Sequence, residues 1–509
     1  MIRLMLFACL LNILAGCASL PPGADYPKAK STAFAYPEKT RLGSQFEAAA
    51  QAHPGNSAFR IIPDGMDGFS MRMQMINAAE KTLDLQYFIF RGDHTGRLLT
   101  DAVLRAAARG VRVRILIDDG ETREDDDQII RLKAHPDIEV RIFNPFAYRG
   151  HSMFMRAGEF LFNARRLDYR MHNKLLVVDN AVALIGGRNI GNQYFQIDPS
   201  SQFADDDVFA AGPIVRKLSG SFDEFWNCDL SIPIEALTPP SNEQQTELVD
   251  DPDYMKLVSA DEPLAGILSG RLPLTWAHAT LVYDSPYKKK VESGKMAGNL
   301  MNRSVVDAAL EVKDELLIIT PYLVPGREGM DLISDLRDRK VRIRILTSSL
   351  DSSNVLLAQA GYMHYRIPLL EEGVELYEIR SKPENSRGSG ETKALLRHGN
   401  YALHAKLFVF DRKRVFIGSM NFDQRSMHLN TEIGLIIDSP LIAKQISSRF
   451  DAMTQPGNAY KLLLSPQKRI VWLTQEKGKE IEYHAEPARN DWQRIEADAL
   501  SLLPIDDEL

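Results

Sequence analysis

The sequence predicts an α/β fold made of two similar halves, and three observations support this prediction. Apolar stretches typical of strands alternate with helical patterns such as those at 95–110 and 327–340, as in α/β units around a mixed or mostly parallel sheet. The strand pattern VRVRILID after Gly110 returns as VRIRILTS after Lys340. A charged motif is also repeated at nearly the same interval. The halves are therefore expected to be copies of one domain.

Length and charge limit the classes of protein that fit. A chain of 509 residues is too long for one ordinary core, so two or more domains are expected. The formal net charge of -7 argues against a protein that coats nucleic acid, because nonspecific binding depends on neutralising phosphates. A local basic cleft is still compatible with this charge.

The amino terminus has the proportions of a secretory signal. An arginine precedes an apolar run over 4–14, which is too short to span a bilayer comfortably. Leu-Ala-Gly-Cys, ending at Cys17, resembles the lipobox of bacterial lipoproteins. We therefore expect residues 1–17 to be a lipoprotein-type signal peptide that ends at a lipidated Cys17. An ordinary signal with an incidental cysteine is the alternative.

Composition divides the rest of the chain. A segment rich in proline, alanine and serine follows the signal, and a polar, aperiodic stretch containing PPSNEQQTELVDDPDY separates the halves. The predicted divisions are a tether at 18–60, a first domain at 61–235, a linker at 236–275, a second domain at 276–452 and a carboxy-terminal extension at 453–509.

The carboxy-terminal extension is predicted to form a hairpin that turns near Gly478 and then an amphipathic helix. Trp492, Ile495, Ala499 and Leu502 recur there at helical spacing. This apolar face either packs on the body of the protein or contacts lipid.

Two short stretches carry the residues of greatest chemical interest. HNKLLVVD at 172–179 and HAKLFVFD at 404–411 are separated by a shift of 232. Residues i and i+2 of a strand face the same way, so each histidine projects together with a lysine. The catalytic candidates are therefore His172, Lys174 and Asp179 in the first motif and His404, Lys406 and Asp411 in the second. We expect the two aspartates to fix a turn or pair with a cation, and not to touch substrate.

The segments after each motif add candidate anion-binding groups. IGGRNI at 185–190 and IGSMNF at 417–422 combine small residues with an amide, which lets backbone N–H groups approach an oxyanion. The candidates for phosphate binding are Gly187, Asn189, Ser419 and Asn421. Farther on, Asp205 precedes a Gly-Pro pair by the same interval that Glu432 precedes a Ser-Pro pair. Each carboxylate is expected to accept Nδ1–H of the histidine in its own half and leave Nε2 free.

Two imidazoles, two ammonium groups and two asparagines suit displacement at phosphorus. One neutral histidine can attack phosphorus and form a phosphohistidine, while the other, protonated, gives its proton to the leaving oxygen. The lysines and asparagines can hold the phosphoryl oxygens as negative charge builds on them. No cluster with metal-ligand spacing accompanies the motifs, so we expect chemistry without a metal ion or other cofactor.

The paired motifs resemble the signature of the phospholipase D superfamily, H-x-K-x4-D followed by G-[GS]-x-N. The similarity runs from about residue 65 to 450, and stretches such as RMHNKLLVVD and FIGSMNFDQRS look most like bacterial cardiolipin synthases of the C type. The resemblance implies an α-β-β-α sandwich in each half and one active site on a pseudo-twofold interface. It implies His172 as nucleophile and His404 as general acid and base. It also implies a phosphate held by Lys174, Lys406, Asn189 and Asn421, with Asp205 and Glu432 behind the histidines.

Several functions fit these residues. A transphosphatidylase would move a phosphatidyl group to the hydroxyl of phosphatidylglycerol, a hydrolytic phospholipase D would release phosphatidic acid, and a phosphodiesterase would cleave nucleic acid. Two intact motifs disfavour a non-enzymatic lipoprotein. The anchor, the charge and the resemblance favour lipid over nucleic acid, and the resemblance favours transfer over hydrolysis.

These choices lead to expectations about partners and location. The expected substrates are phosphatidylglycerol and, as a second candidate, phosphatidylethanolamine; a membrane is an expected partner and nucleic acid is not. We expect a membrane-anchored lipoprotein of the bacterial cell envelope that faces the periplasm. The related enzymes usually carry Asp and His where this chain has Asn354 and Gln359, so these two positions bear on the choice of headgroup.

Overall fold

A computed structural model describes residues 20–121, 126–133, 135–150, 152–197, 202–238, 262–383 and 401–503. The predicted signal peptide with Cys17 and most of the predicted linker lie outside the described residues.

In the first half, the strands β1 to β9 comprise Ser57–Ile62, Thr82–Tyr87, Arg112–Asp118, Ile138–Phe143, Leu175–Val178, Val182–Gly186, Gln202–Ala204, Asp207–Ala211 and Ser231–Pro233. The helices α1 to α6 comprise Arg41–Gln51, Gly65–Ala78, His94–Ala108, Asp126–Lys133, Met153–Leu167 and Pro213–Asn227. Short 3-10 turns occupy Pro37–Lys39, Asn192–Phe195 and Ile234–Ala236.

In the second half, the strands β10 to β22 comprise Thr275–Tyr283, Glu315–Ile319, Leu323–Val324, Arg342–Ser348, Glu375–Ile379, Tyr401–Leu403, Leu407–Phe410, Arg414–Gly418, Phe422–Asp423, Ile433–Asp438, Ala459–Leu464, Ile470–Glu476 and Lys479–Tyr483. The helices α7 to α14 comprise Pro263–Leu268, Lys288–Glu292, Met301–Leu310, Gly326–Asp338, Leu356–Met363, Arg366–Glu371, Pro440–Met453 and Asp491–Ser501. A π-helical turn occupies Arg425–Leu429.

The strand order shows the duplication directly. The first half runs β9-β4-β3-β2-β5-β6-β8-β1, with β2, β3 and β4 parallel to one another. The second half runs β20-β14-β13-β11-β16-β17-β19-β10 in the same pattern, and β21 and β22 extend its outer edge. Antiparallel pairing of β1 with β10 joins the halves into one mixed sheet. The predicted α/β fold with two copies of one domain is confirmed.

The repeated strand pattern is buried on both faces, as expected for a parallel strand covered by helices. Arg114 in β3 is fully buried, and its guanidinium lies 2.7 Å from Asp84 Oδ1 on β2 and 2.8 Å from Asp223 Oδ1 on α6. Arg114 therefore does not mark a solvent face. Its charge is neutralised by carboxylates on the neighbouring strand and helix.

The halves share one hydrophobic core. Its helical part comes from α6 and α13, which contribute buried side chains such as Trp226 and Phe450, and its sheet part comes from strands of both halves. Separate clusters fill the outer side of each half. The shared core fixes the halves relative to each other, which is what a site built from both of them requires.

The predicted tether differs from the structure. Helix α1 lies within 18–60, and β1 begins at Ser57, four residues before the predicted start of the first domain. Leu42 and Phe46, one helical turn apart, are buried, and Lys28 Nζ donates to the carbonyl oxygens of Cys228 (2.7 Å) and Ser231 (2.9 Å). The described part of this segment is therefore packed against the first half.

The carboxy-terminal extension contains a hairpin of β21 and β22 with Gly478 at a φ of 77° in its turn, followed by α14. Ala497 of α14 is buried, but Trp492 is 78% exposed and Leu502 is 85% exposed. The apolar face found in the sequence thus does not pack on the body of the protein. Among the described helices, none is long and apolar enough to cross a membrane.

Candidate active site

The two predicted motifs lie at the same edge of the sheet. β5 follows His172 and runs antiparallel to β2, so that Leu175 pairs with Gln86 near the carboxyl end of β2. β16 follows His404 and pairs in the same way with the carboxyl end of β11. Each histidine is therefore placed beyond the carboxyl ends of the parallel strands of its half.

Backbone pairing between the halves brings the motifs together. β7 and β15 form a parallel pair in which Ala204 lies opposite Leu403, and a parallel bridge joins Met171 to Thr431. The N–H of His172 donates to the carbonyl oxygen of Thr431 (2.9 Å), and the N–H of His404 donates to that of Ala204 (2.8 Å). Each histidine thus enters the site along a segment of the opposite half.

This pairing decides which carboxylate supports which histidine. His172 Nδ1 lies 2.9 Å and 3.1 Å from the two carboxylate oxygens of Glu432, and His404 Nδ1 lies 2.6 Å from Asp205 Oδ2. The prediction that each carboxylate holds the histidine of its own half is wrong. Because Met171 is opposite Thr431 and Leu403 is opposite Ala204, the next residue of each segment faces the partner half.

The two carboxylates are held differently. Glu432 accepts hydrogen bonds from the hydroxyls of Ser419 and Ser426. Asp205 Oδ1 accepts the N–H of Asp206 at 2.7 Å, and a Cβ on Gly187 would lie 2.2 Å from the same oxygen. Burial raises the pKa of Glu432 to about 7 and also raises that of Asp205.

Both lysines are buried beside their histidines. Lys174 Nζ donates to the carbonyl oxygen of His172 at 2.7 Å, and Lys406 Nζ donates to that of His404. Burial lowers the pKa of Lys174 well below its usual value and lowers that of Lys406 to about 8. Two lysine amino groups and two carboxyl groups therefore share a site that is almost closed to water.

The histidines are held neutral. Burial, together with the nearby ammonium groups of Lys174 and Lys406, lowers the pKa of both His172 and His404 well below the usual 6.5. When Nδ1–H is donated to a carboxylate, Nε2 carries the free electron pair. At neutral pH each imidazole is therefore a base and a nucleophile.

The predicted phosphate-binding groups take different places. Asn189 Oδ1 accepts the N–H of Ile89 and its Nδ2 donates to Tyr194, whereas Asn421 Oδ1 is buried without a partner among the described residues. The N–H groups of Gly187 and Ser419 donate to the carbonyl oxygens of Asp206 and Ile433 across the sheet. These two N–H groups are therefore not available to an oxyanion, and Gly187 and Ser419 instead shape the carboxylate sites.

Asp179 and Asp411 lie away from the histidines, at the far ends of β5 and β16. Asp179 accepts the N–H groups of residues 80–82 at 2.7–3.0 Å, and Asp411 accepts those of 313–315. Both residues have positive φ, 55° and 52°. They clamp the turn before the neighbouring strand, as expected from the sequence, so they are removed from the catalytic candidates and assigned a structural role.

Aromatic rings around the histidines were not identified from the sequence. Phe203 stacks on the His404 ring at 5.0 Å between centroids, Tyr194 meets the same ring edge-on at 5.2 Å, and Phe88 meets His172 edge-on at 5.0 Å. Phe88 directly follows β2 and Phe203 directly precedes Ala204, so a search for rings next to the site-forming segments could have found them.

The two positions linked to headgroup choice have different surroundings. The Asn354 side chain hydrogen-bonds Tyr322, whereas Gln359 is buried and its Nε2 lies 3.5 Å from Glu486 Oε1. Within the described ranges, no three His, Cys, Asp or Glu side chains are grouped as metal ligands.

The chain is similar to known proteins. The family described as "Cardiolipin synthase, PLD-like domain" matches residues 73–226 and 306–454. Cardiolipin synthase C of Escherichia coli strain K12 is 36% identical over 476 residues, which cover 92% of this chain and 99% of the relative. The major cardiolipin synthase of Bacillus subtilis strain 168 is 26% identical over 422 residues, covering 81% and 72%.

Among solved structures, the phosphatidylserine synthase of Haemophilus influenzae Rd KW20 aligns with a TM-score of 0.56 and 14% sequence identity, covering 92% of this chain and 100% of the other. That likeness supports the duplicated phospholipase D-like fold. Each of the two matched segments contains one complete histidine–lysine–aspartate motif. The match to the E. coli protein extends over nearly all of both chains. The chain therefore belongs to the cardiolipin synthase family of phospholipase D-like proteins.

Proposed function

We propose that this protein is a phospholipid transphosphatidylase that moves a phosphatidyl group, through a phosphohistidine, to the hydroxyl of phosphatidylglycerol. The observation that carries the proposal is the pair of buried histidines, each with Nδ1 on a carboxylate of the opposite half. Family membership supports the same chemistry, since the relatives at 36% and 26% identity are named cardiolipin synthases.

In the first step, His172 Nε2 attacks phosphorus as the bond to the leaving headgroup oxygen breaks. Glu432 accepts Nδ1–H throughout and stabilises the imidazole as it becomes positively charged. His404 supplies a proton to the leaving oxygen. In the second step, the acceptor hydroxyl attacks phosphorus, His404 takes its proton and the nitrogen–phosphorus bond breaks, which restores both histidines.

The two lysines explain how His404 acquires its proton. Their charges help to hold the pKa of His404 low in the free protein. A bound phosphodiester brings a negative charge between Lys174 and Lys406, offsets their effect and favours a protonated imidazole. Substrate binding therefore prepares the acid, and the same lysines stabilise the charge that builds on the phosphoryl oxygens.

The lipids are part of the proposal. Phosphatidylglycerol fits as the acceptor because its headgroup offers a free hydroxyl, and cardiolipin is then the product. Either phosphatidylglycerol or phosphatidylethanolamine could donate the phosphatidyl group, since both present a phosphodiester with a small leaving group. Hydrolysis with release of phosphatidic acid is the competing outcome at the same site.

We also propose that the protein is a lipoprotein of the bacterial cell envelope, facing the periplasm and anchored through Cys17. The lipobox-like residues before Cys17 support this location. Incorporation of labelled fatty acid into the protein, and its loss in Cys17→Ser, would test the anchor.

A product assay in mixed micelles tests the activity. Purified protein is incubated with phosphatidylglycerol alone and with added phosphatidylethanolamine, beside His172→Ala. The exposed His278 provides a matched control in His278→Ala. We expect cardiolipin from the parent protein and from His278→Ala, and none from His172→Ala. Phosphatidic acid as the sole product would replace transfer by hydrolysis, and no lipid product would refute both.

A further inference from the structure

Helix α5 exposes its apolar side chains to solvent and turns its polar side chains toward the protein. Phe154 is 91% exposed, Phe162 85% and Leu161 77%. The half-buried polar side chains of Arg156, Glu159 and Arg166 instead face the protein. A surface helix in water normally shows the reverse arrangement.

The inward polar face of α5 is bound firmly and close to the active site. Glu159 accepts the N–H groups of Ala147 (2.7 Å) and Tyr148 (2.8 Å), and Arg156 donates to the carbonyl oxygen of Asp119. Asp119 directly follows β3, whose carboxyl end lies at the same edge of the sheet as His172. The apolar face of α5 is therefore held outward at the edge that carries the site.

Helix α14 repeats this placement in the second half. Gln493 Nε2 donates to the carbonyl oxygen of Leu350, and Arg489 Nε donates to that of Asp351. These acceptors follow β13, the counterpart of β3. Trp492, at 78% exposure, therefore projects from the same edge of the sheet as Phe154.

The described chain also begins beside α5. Leu20, 61% exposed, lines an apolar groove of about 710 Å³ together with Pro22, Phe154 and Phe162. Cys17 is three residues earlier, so a lipid on it would be attached at most about 11 Å from Leu20. A membrane anchor would thus hold this groove and α5 against the lipid surface.

We propose that the outward faces of α5 and α14, the apolar rim defined by Met153, Phe154, Leu161, Phe162, Trp492, Ile495 and Leu502, insert into the surface of a lipid bilayer. The inserted rim presents the active-site edge to the membrane, so that a phospholipid headgroup reaches the histidines from the bilayer. This inference deepens the proposed function and rests on it for the identity of the substrate, but insertion itself is measurable without catalysis.

Tryptophan quenching in the full-length protein tests insertion. The background is Trp492→Phe, which keeps Trp226, Trp276 and Trp472. The reporter is Phe154→Trp, and its emission is read as the difference from the background. The matched control is Leu310→Trp, because Leu310 is also exposed and lies beside Asp411 at the end of β16 opposite His404. The vesicles contain phosphatidylglycerol and phosphatidylethanolamine with brominated acyl chains.

We expect the tryptophan at 154 to shift to the blue and to lose about half of its emission, since an interfacial helix buries its apolar face roughly 5–10 Å into the bilayer boundary. The tryptophan at 310 should be unaffected. Equal quenching at both positions, or none at 154, would overturn the proposal. A blue shift at 154 that depends on protein concentration and not on lipid would also overturn it and would indicate a second copy on the rim.

A second readout connects the rim to turnover. Phe154→Asp combined with Phe162→Asp should lower the ratio of activity on vesicles to activity on dissolved short-chain phosphatidylglycerol at least about tenfold, because charged side chains oppose insertion. Leu310→Asp should leave the ratio unchanged, and an unchanged ratio in the double variant would refute the link. If neither substrate gives product, the proposed function fails while the quenching result still decides insertion.

Discussion

Each histidine is supported by a carboxylate of the opposite half, and this crossed pairing predicts which variants impair the same reaction step. Glu432→Gln removes the charge that faces Nδ1 of His172 but keeps the volume of the side chain. Asp205→Asn does the same for His404. If Glu432 serves His172, then Glu432→Gln should impair the same reaction step as His172→Ala, although the two residues are 260 positions apart.

The expected magnitude follows from the contact. A hydrogen bond to a charged group contributes about 1.5–3 kcal/mol, and 1.36 kcal/mol corresponds to about tenfold in rate. Loss of the charge on Glu432 should therefore slow the step performed by His172 roughly 10- to 150-fold. Folding should be retained, because Ser419 and Ser426 can hydrogen-bond an amide as well as a carboxylate.

Rapid mixing with phosphatidylglycerol labelled at phosphorus measures the two steps separately. Denaturation at alkaline pH preserves the phosphohistidine, so both its formation and its decay can be followed. We expect Glu432→Gln to slow the step lost in His172→Ala, and Asp205→Asn to slow the step impaired in His404→Ala. This matching of each carboxylate variant to one histidine variant does not depend on which histidine is the nucleophile. If Glu432→Gln instead groups with His404→Ala, the crossed pairing is refuted.

Three further predictions concern single groups. Lys406, with a pKa of about 8, loses its charge as pH rises through that value, so kcat/KM should fall above about pH 8. The pH–rate profile of Lys406→Ala should lack this fall. If the variant still shows the fall, another group causes it. Gly187→Ala would place a Cβ 2.2 Å from Asp205 Oδ1 and should reduce turnover as Asp205→Asn does, with an unchanged near-ultraviolet dichroism spectrum; normal turnover would show that Asp205 does not need this space. Asp179→Ala leaves three backbone N–H groups without their acceptor and should cost roughly 2–4 kcal/mol of unfolding free energy in urea; a loss of activity without a loss of stability would contradict its structural role.

The sequence predicted the duplicated α/β fold and both motifs because each strand and each motif is local and occurs twice. The equal interval from Asp205 to a Gly-Pro pair and from Glu432 to a Ser-Pro pair identified these two carboxylates as equivalent residues. It could not show their contacts, since equivalence between halves is different from proximity. The crossed pairing arises from backbone register between the halves, which no local pattern encodes.

Other differences have similar physical causes. The predicted tether contains Leu42 and Phe46 at helical spacing, but its proline-rich beginning suggested a flexible segment. The small residue at 187 suggested contact with an oxyanion, whereas its role is to make room for Asp205. The outward face of α14 was visible as a helical stripe, and only the contacts of Ala497 and Gln493 showed which side faces the protein.

The different supports of Glu432 and Asp205 have a consequence for how such a site can evolve. In a symmetric homodimer, any substitution would alter both copies of a site at once. In a single chain with joined halves, the pair Gly187 with Asp205 and the pair Ser419 with Glu432 can diverge separately. Two halves joined in one chain thus permit the two imidazoles to differ, as the proposed division between a nucleophile and a proton carrier requires.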